Sequence, residues 1–191
     1  MKKLILILSL TLFFTACGGL GFTVKYDGQQ IPFEAKSSWI TSQGANFGGK
    51  FEGEKDKHAL RWLALRNFDY EVKSPYDTEG NPTADGQVKL FFSLHEDSGT
   101  NPQTPIKVST FSGGNDGPMS LEFVNVHIFR NGKVESFPVS LSGQGNRKDS
   151  EVKITSVSDD TVTGEVNINV KAKDKDLIVK GTFTAKIFKV K

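Results

Sequence analysis

The chain has 191 residues, 37% of them hydrophobic and 24% charged, a balance that excludes wholesale disorder. A chain of this length buries about 70% of its unfolded surface, so folding needs neither a disulfide nor a metal. Removing Lys2 and Lys3, which stand in an acid-free leader, from the 24 basic residues leaves 22 against 22 acids; a neutral remainder argues against general nucleic-acid binding.

Met1-Lys2-Lys3 is a short positive start, and Leu4 to Phe14 then carries 11 residues without a charge. As a helix rising about 1.5 Å per residue it spans about 16 Å, roughly half a hydrocarbon core. It reads as the core of a cleaved secretory signal. Phe14-Thr15-Ala16-Cys17-Gly18 follows, with small residues directly before the single Cys of the chain. This run resembles a bacterial lipobox, with Phe14 where Leu is common. The resemblance implies cleavage after residue 16 and a diacylglyceryl group on the Cys17 sulfur. Further acylation with palmitate-type chains then holds the protein on a membrane, since one chain alone binds only marginally. Gly18, in place of an Asp, implies the outer membrane by the same resemblance. Residues 1–16 are therefore expected as signal peptide, 17–21 as lipidated Cys and Gly-rich tether, and 22–191 as a single β domain. A lone Cys also excludes a disulfide within the chain.

Past residue 21 the apolar period is mostly two. Phe22 to Tyr26 and Gln29 to Phe33 flank Asp27-Gly28, a pair that tolerates the positive φ of a tight hairpin turn. Strands are expected at Ala35 to Thr41, Phe47 to Phe51, Leu60 to Leu65 and Phe68 to Val72. His58 to Leu65 also admits a short helix, with Leu60, Leu63 and Ala64 on one face. Strands at Val88 to Leu94 and Ile106 to Phe111 follow, separated by long polar loops at 73–87, 95–105 and 112–119. Leu121 to Phe129 and Val134 to Val139 flank Asn131-Gly132, a second hairpin. Glu151 to Val157, Val162 to Val170 and Leu177 to Ile187 form a meander whose apolar residues alternate with Thr, Asn, Glu and Lys. The fold class expected is all-β: an antiparallel sandwich or flattened barrel of about ten to thirteen strands. Tyr26-Asp27-Gly28 near the start, and Val152-Lys-Ile-Thr-Ser through Val162-Thr-Gly-Glu-Val to Gly181-Thr-Phe at the end, are similar to β-rich bacterial lipoproteins of uncharacterised activity. No catalytic role comes with that resemblance.

The chemistry-bearing residues are sparse. His58, His95 and His127 lack paired metal-ligand spacing. His127 reads as packed or edge, and His58 and His95, beside charged residues, as solvated. Asp77-x-Glu79-x-Asn81 starts like a calcium loop, but Pro82 and Val88 occupy the positions that want Gly and Glu, so it reads as a polar turn. No nucleophile elbow, phosphate loop or dinucleotide fingerprint is present, and the only Cys sits at the anchor. Neither catalytic residues nor a cofactor is therefore expected. Partner contact falls to Tyr76, Trp39 and Trp62, with core packing the competing reading for the two Trp. Residues 171–191 hold seven Lys against Asp174 and Asp176, which suits either an anionic surface or guarded strand edges. The expected function is a membrane-anchored, noncatalytic binding or structural module of the cell envelope, meeting a protein or glycan through its loops. A lipocalin-like carrier of an apolar ligand is the alternative, and a hydrolase with an unrecognised site the third.

Overall fold

The computed structural model describes residues 21–46, 57–77, 80–114, 118–141 and 149–189. The expected strand at Phe47 to Phe51 and the acylation site Cys17 lie outside the described residues. Eleven strands are present among them: β1 (Thr23–Tyr26), β2 (Gln29–Ile31), β3 (Ser37–Asn46), β4 (Lys57–Arg66), β5 (Val88–Ser98), β6 (Ser109–Ser112), β7 (Ser120–Arg130), β8 (Lys133–Ser140), β9 (Glu151–Val157), β10 (Thr161–Ala172) and β11 (Lys175–Ile187).

The hairpins form where the sequence places them. Asp27 and Gly28 take φ of 53° and 75°, and Asn131 and Gly132 take 53° and 74°. These are positive values that Asp, Asn and Gly adopt most readily. The meander turn is made without glycine, by Lys173 at 50° and Asp174 at 63°. The segment His58 to Leu65 is strand, not helix. Alternation decides it: Ala59, Arg61, Leu63 and Leu65 face inward, where a helix would bury a 3.6-residue stripe.

Backbone pairing runs β10-β9-β6-β7-β5-β4-β3-β11, and β11 pairs again with β10, so eight strands close a ring. β1 and β2 extend from β11, and β8 branches from β7. The architecture is an all-β barrel, which decides between barrel and sandwich. It also corrects the purely antiparallel expectation. β6 runs parallel to β7, and β11 runs parallel to β3 because the meander delivers it to the far side of the ring already pointing along β3. These joints are thin: Lys186 and Ile187 opposite Trp39 and Ile40, and Ser112 opposite Ser120. Short parallel joints fit the slightly weaker pairing of parallel strands.

Inward side chains fill the ring. Ile40, Leu63, Leu65, Leu90, Phe92, Leu94, Phe111, Leu121, Val124, Ile154, Val162, Ile168 and Val179 are each at most 1% exposed and belong to one apolar cluster. Eight strands enclose a space that side chains can fill, as they do here. A carried apolar ligand would have to displace them.

The segment Phe68 to Val72, expected as a strand, is irregular. Its backbone bonds go to side chains on the outer wall: the Tyr70 carbonyl accepts from Ser37 Oγ at 2.6 Å and from Trp39 Nε1 at 3.2 Å. The loop therefore lies flat across the outside of β3 and β4. There Arg66, Lys89 and His127 form a cross-strand row beneath it. Arg66 Nε donates to the Gly80 carbonyl at 3.1 Å, and its guanidinium stacks 4.5 Å from the Tyr70 ring centre. Lys89 Nζ donates to Asn81 Oδ1 at 3.2 Å. Burial lowers the pKa of Arg66, with Tyr70 and Asp77 acting in the opposite sense. Burial first, then Lys89 and Arg66, push His127 down to about 4.

Candidate functional site: an open seam in the barrel wall

A groove of the described residues follows from how β11 is shared. Along one edge β11 pairs with β10 from Thr161 opposite Lys186 down to Ala172 opposite Lys175. Along the other, β1 takes Leu177 to Lys180 and β3 takes Lys186 and Ile187. Pro32, which lacks an N–H, follows the last residue of β2, and residues 32–36 cross to β3 outside any strand. The wall is thus split along Gly181 to Ala185. A groove of about 1000 Å³ opens there, lined by Phe22, Phe33 to Lys36 and Ser38 on one bank and by Thr182 to Thr184 and Lys186 on the other. It extends over β9 and β10 to Thr155, Thr161, Thr163 and Glu165.

Aromatic rings close the split underneath. Phe22 and Phe33 meet edge to face with centres 5.3 Å apart, and Phe33 and Phe183 are buried. Gly181 makes room for this seal, since a Cβ there would stand 2.9 Å from the Phe22 ring. Gly164 does the same for Phe183: a Cβ would fall 2.2 Å from the Lys153 carbonyl oxygen and 2.6 Å from the Phe183 ring. Above the rings the lining is hydroxyl-rich. Thr163 lies opposite Thr184, and Glu165 opposite Thr182. The extra residue of the β9 bulge, Thr155, donates its hydroxyl to the Thr163 carbonyl at 3.3 Å. Glu34 and Glu165 are balanced by Lys36 and Lys186. Such a trough offers an apolar floor, polar walls and no strong net field.

A second groove, of about 650 Å³, lies at one mouth of the barrel among Pro75, Pro102 to Ile106, Val157 to Asp159 and Ile187 to Lys189. Arg61 lies at its base and resembles an anion receptor until its bonds are counted. Nε and Nη2 donate to the two Glu96 oxygens at 2.9 and 2.8 Å. Nη2 also reaches the Thr104 carbonyl at 2.6 Å, and Nη1 reaches the Pro102 carbonyl at 3.3 Å and Ser42 Oγ. A guanidinium has five N–H donors, and all five are taken. Arg61 is a strut that fastens the 99–106 loop and offers nothing to a ligand.

The structure corrects the reading of His58 and His95. They are not solvated: His58 is 1% exposed, and its Nε2 lies 2.6 Å from His95 Nδ1. The cause is a bulge between His58 and Leu60 in the β4–β5 ladder, which sets the two rings side by side. His95 Nε2 meets the Glu122 carboxylate, so that nitrogen carries the proton and His58 donates to His95. Glu122 thus accepts from His95, and the neutral His95 tautomer that donates there accepts from His58. Among the described residues no group of three or more His, Cys, Asp or Glu is arranged to hold a metal ion. The calcium-like run has protein donors instead: Asp77 accepts from the Tyr70 hydroxyl at 2.7 Å and from the Lys73 amide at 2.9 Å.

Of the residues singled out for partner contact, Tyr76 is 71% exposed on its loop. Trp39 and Trp62 lie partly buried on the outer wall. Trp39 is engaged by the Tyr70 carbonyl and by Lys186 Nζ, 5.4 Å from its ring centre, and Trp62 by Phe91 at 5.6 Å. The seam gathers none of the three in its lining. Three of the seven lysines of the basic carboxy-terminal stretch are in ion pairs: Lys171 with Asp176 at 2.7 Å, Lys175 with Asp27 at 2.5 Å and Lys189 with Asp160 at 2.7 Å. β10 is paired on both sides, whereas Lys180 and Lys186 flank the stretch of β11 that is unpaired on one side.

Reasoning from sequence missed Phe33, Gly164, Gly181 and the Thr rows as a site. The signal was there in part, since a glycine inside a strand marks a close approach of other groups. No family model, no curated protein and no solved structure matches this chain.

Proposed function

We propose that the chain is a lipid-anchored protein of the bacterial cell envelope, most consistent with the outer membrane, and that it works as a noncatalytic binding module through the barrel seam. The observation that carries this reading is position. The groove is lined by Gly21, four residues after Cys17 in the sequence. At no more than about 3.6 Å per residue, the Gly21 end of the seam stays within about 14 Å of the acylated residue. An anchor so short fixes the height of the groove above the lipid and brings it to ligands at the membrane face. The balanced charges and hydroxyl walls suit holding a neutral ligand by shape and hydrogen bonds.

The test is metabolic labelling with radioactive palmitate in a bacterial host, followed by membrane separation on a sucrose gradient. Wild-type protein should carry label and travel with the outer membrane. Cys17→Ala should carry none and appear in the soluble fraction. Label persisting in Cys17→Ala, or absent from the wild type, refutes the anchor.

A further inference from the structure

Building on the seam as the binding surface, we infer that its ligand is an extended polypeptide segment that adds to β11 as an extra strand between β1 and β3. The five residues Gly181 to Ala185, between the last residue facing β1 and the first facing β3, have no strand partner on that side among the described residues. The backbone bonds formed outside strands do not reach them either. The groove runs along this stretch, with Thr182, Phe183 and Thr184 in its wall. An unpaired strand edge is a row of N–H and C=O groups with one natural complement, another backbone.

Dimensions and chemistry agree. A strand advances about 3.3 Å per residue and lies about 4.8 Å from its neighbour, so five residues of open edge accept about 16 Å of extended chain. Side chains of the added strand alternate in direction. One set would face the aromatic floor of Phe22 and Phe33, the other the hydroxyls of Thr163, Thr182 and Thr184. With two acids and two lysines in the lining, the fitting segment alternates apolar and polar residues and carries little net charge. A glycan could bond to the hydroxyls and to single edge amides but lacks the repeating N–H and C=O spacing of a strand, which makes it the outcome to be tested against.

The experiment is selection of random heptapeptides, displayed on phage, against the full-length protein in detergent, with counter-selection on Ala35→Trp. Ala35 is an exposed lining residue, so the indole fills the groove without entering the core. Selected peptides should alternate apolar and polar residues. They should bind Ala35→Trp and Thr184→Trp about tenfold or more weakly than wild type, a loss of about 1.4 kcal/mol. The decisive readout needs no protein variant. N-methylation of alternate amides along one edge of the best peptide should abolish binding, and along the other edge should be tolerated. Amide exchange at Thr182 and Thr184, the residues of this stretch whose N–H groups face away from β10, should slow in the complex. Failure to select peptides that depend on the seam, or indifference to methylation of either edge, overturns the inference, as does binding of glycans but not peptides at the seam. A palmitoylated protein that selects no such peptide refutes strand addition alone. An unlabelled protein that selects them refutes the anchor alone.

Discussion

Replacing Glu96 by Gln tests whether the mouth of the barrel depends on a saturated guanidinium. The side chain keeps its shape, but one carboxylate oxygen becomes an NH₂ facing an Arg61 N–H. Arg61 is 1% and Glu96 9% exposed at the side chain, so water cannot replace the lost acceptor at that point. Removing one partner of a buried pair costs about 3–5 kcal/mol, a large share of the roughly 5–15 kcal/mol that holds a domain together. The double change Arg61→Met with Glu96→Leu removes both charges. It leaves the Pro102 and Thr104 carbonyls without their donor, but both residues line the mouth groove, where water reaches. At about 1–3 kcal/mol for an unsatisfied buried group, less when hydrated, the double variant should cost about 2 kcal/mol, below either single change. Urea unfolding of Glu96→Gln, of the single changes Arg61→Met and Glu96→Leu, and of the double variant measures this. Limited proteolysis should cut within 99–106 first in Glu96→Gln. A Glu96→Gln protein within about 1 kcal/mol of wild type, or a double variant costing the sum of the singles, would refute the strut.

Three further outcomes follow from the same structure. His127 has a folded pKa of about 4 against an ordinary 6.5, so the unfolded chain takes up a proton first. Stability should fall by up to about 3 kcal/mol as pH drops from 6.5 towards 4, and His127→Gln should flatten that part of a urea-midpoint profile. Gly164→Ala places a methyl group 2.2 Å from the Lys153 carbonyl, and backbone cannot yield cheaply. A loss of about 3 kcal/mol or more is expected, read as a lowered melting temperature, and a neutral result would contradict the packing beneath the seam. Phe33→Ala removes a sealing ring that is 9% exposed and should cost about 3–5 kcal/mol in chemical denaturation. It should also let an environment-sensitive apolar dye enter the seam, and an unchanged dye signal would show that the ring is not a seal.

The parts of this fold that were legible in the sequence are those decided locally. Asp27-Gly28 and Asn131-Gly132 carry their turn geometry in their own φ preferences, and the β9-β10-β11 meander shows its buried face as a strict alternation. What escaped depends on partners far along the chain. Phe68 to Val72 has strand-like composition, yet its carbonyls are claimed by Ser37 and Trp39 from the neighbouring wall. Arg61 in an apolar run gives no hint of burial until Glu96 and the 99–106 carbonyls converge on it. His58 and His95 look solvated beside charged neighbours, and only a bulge two strands wide brings their rings together. The seam is the extreme case. It exists because two different strands claim parts of one edge of β11, which is a property of ring closure and not of any segment.

That closure also orders events in time. Thr23 lies against Lys180 and Trp39 against Lys186, so the earliest strands to be synthesised wait for the last. A nascent chain lacking its final dozen residues has β3 paired with β4 alone and the β1–β2 hairpin facing only Leu177 to Val179, so the ring stays open, and unpaired edges invite association with other chains. Contacts of such long range also make barrel assembly slow. A premature stop near the end should therefore yield insoluble material instead of a slightly shortened barrel.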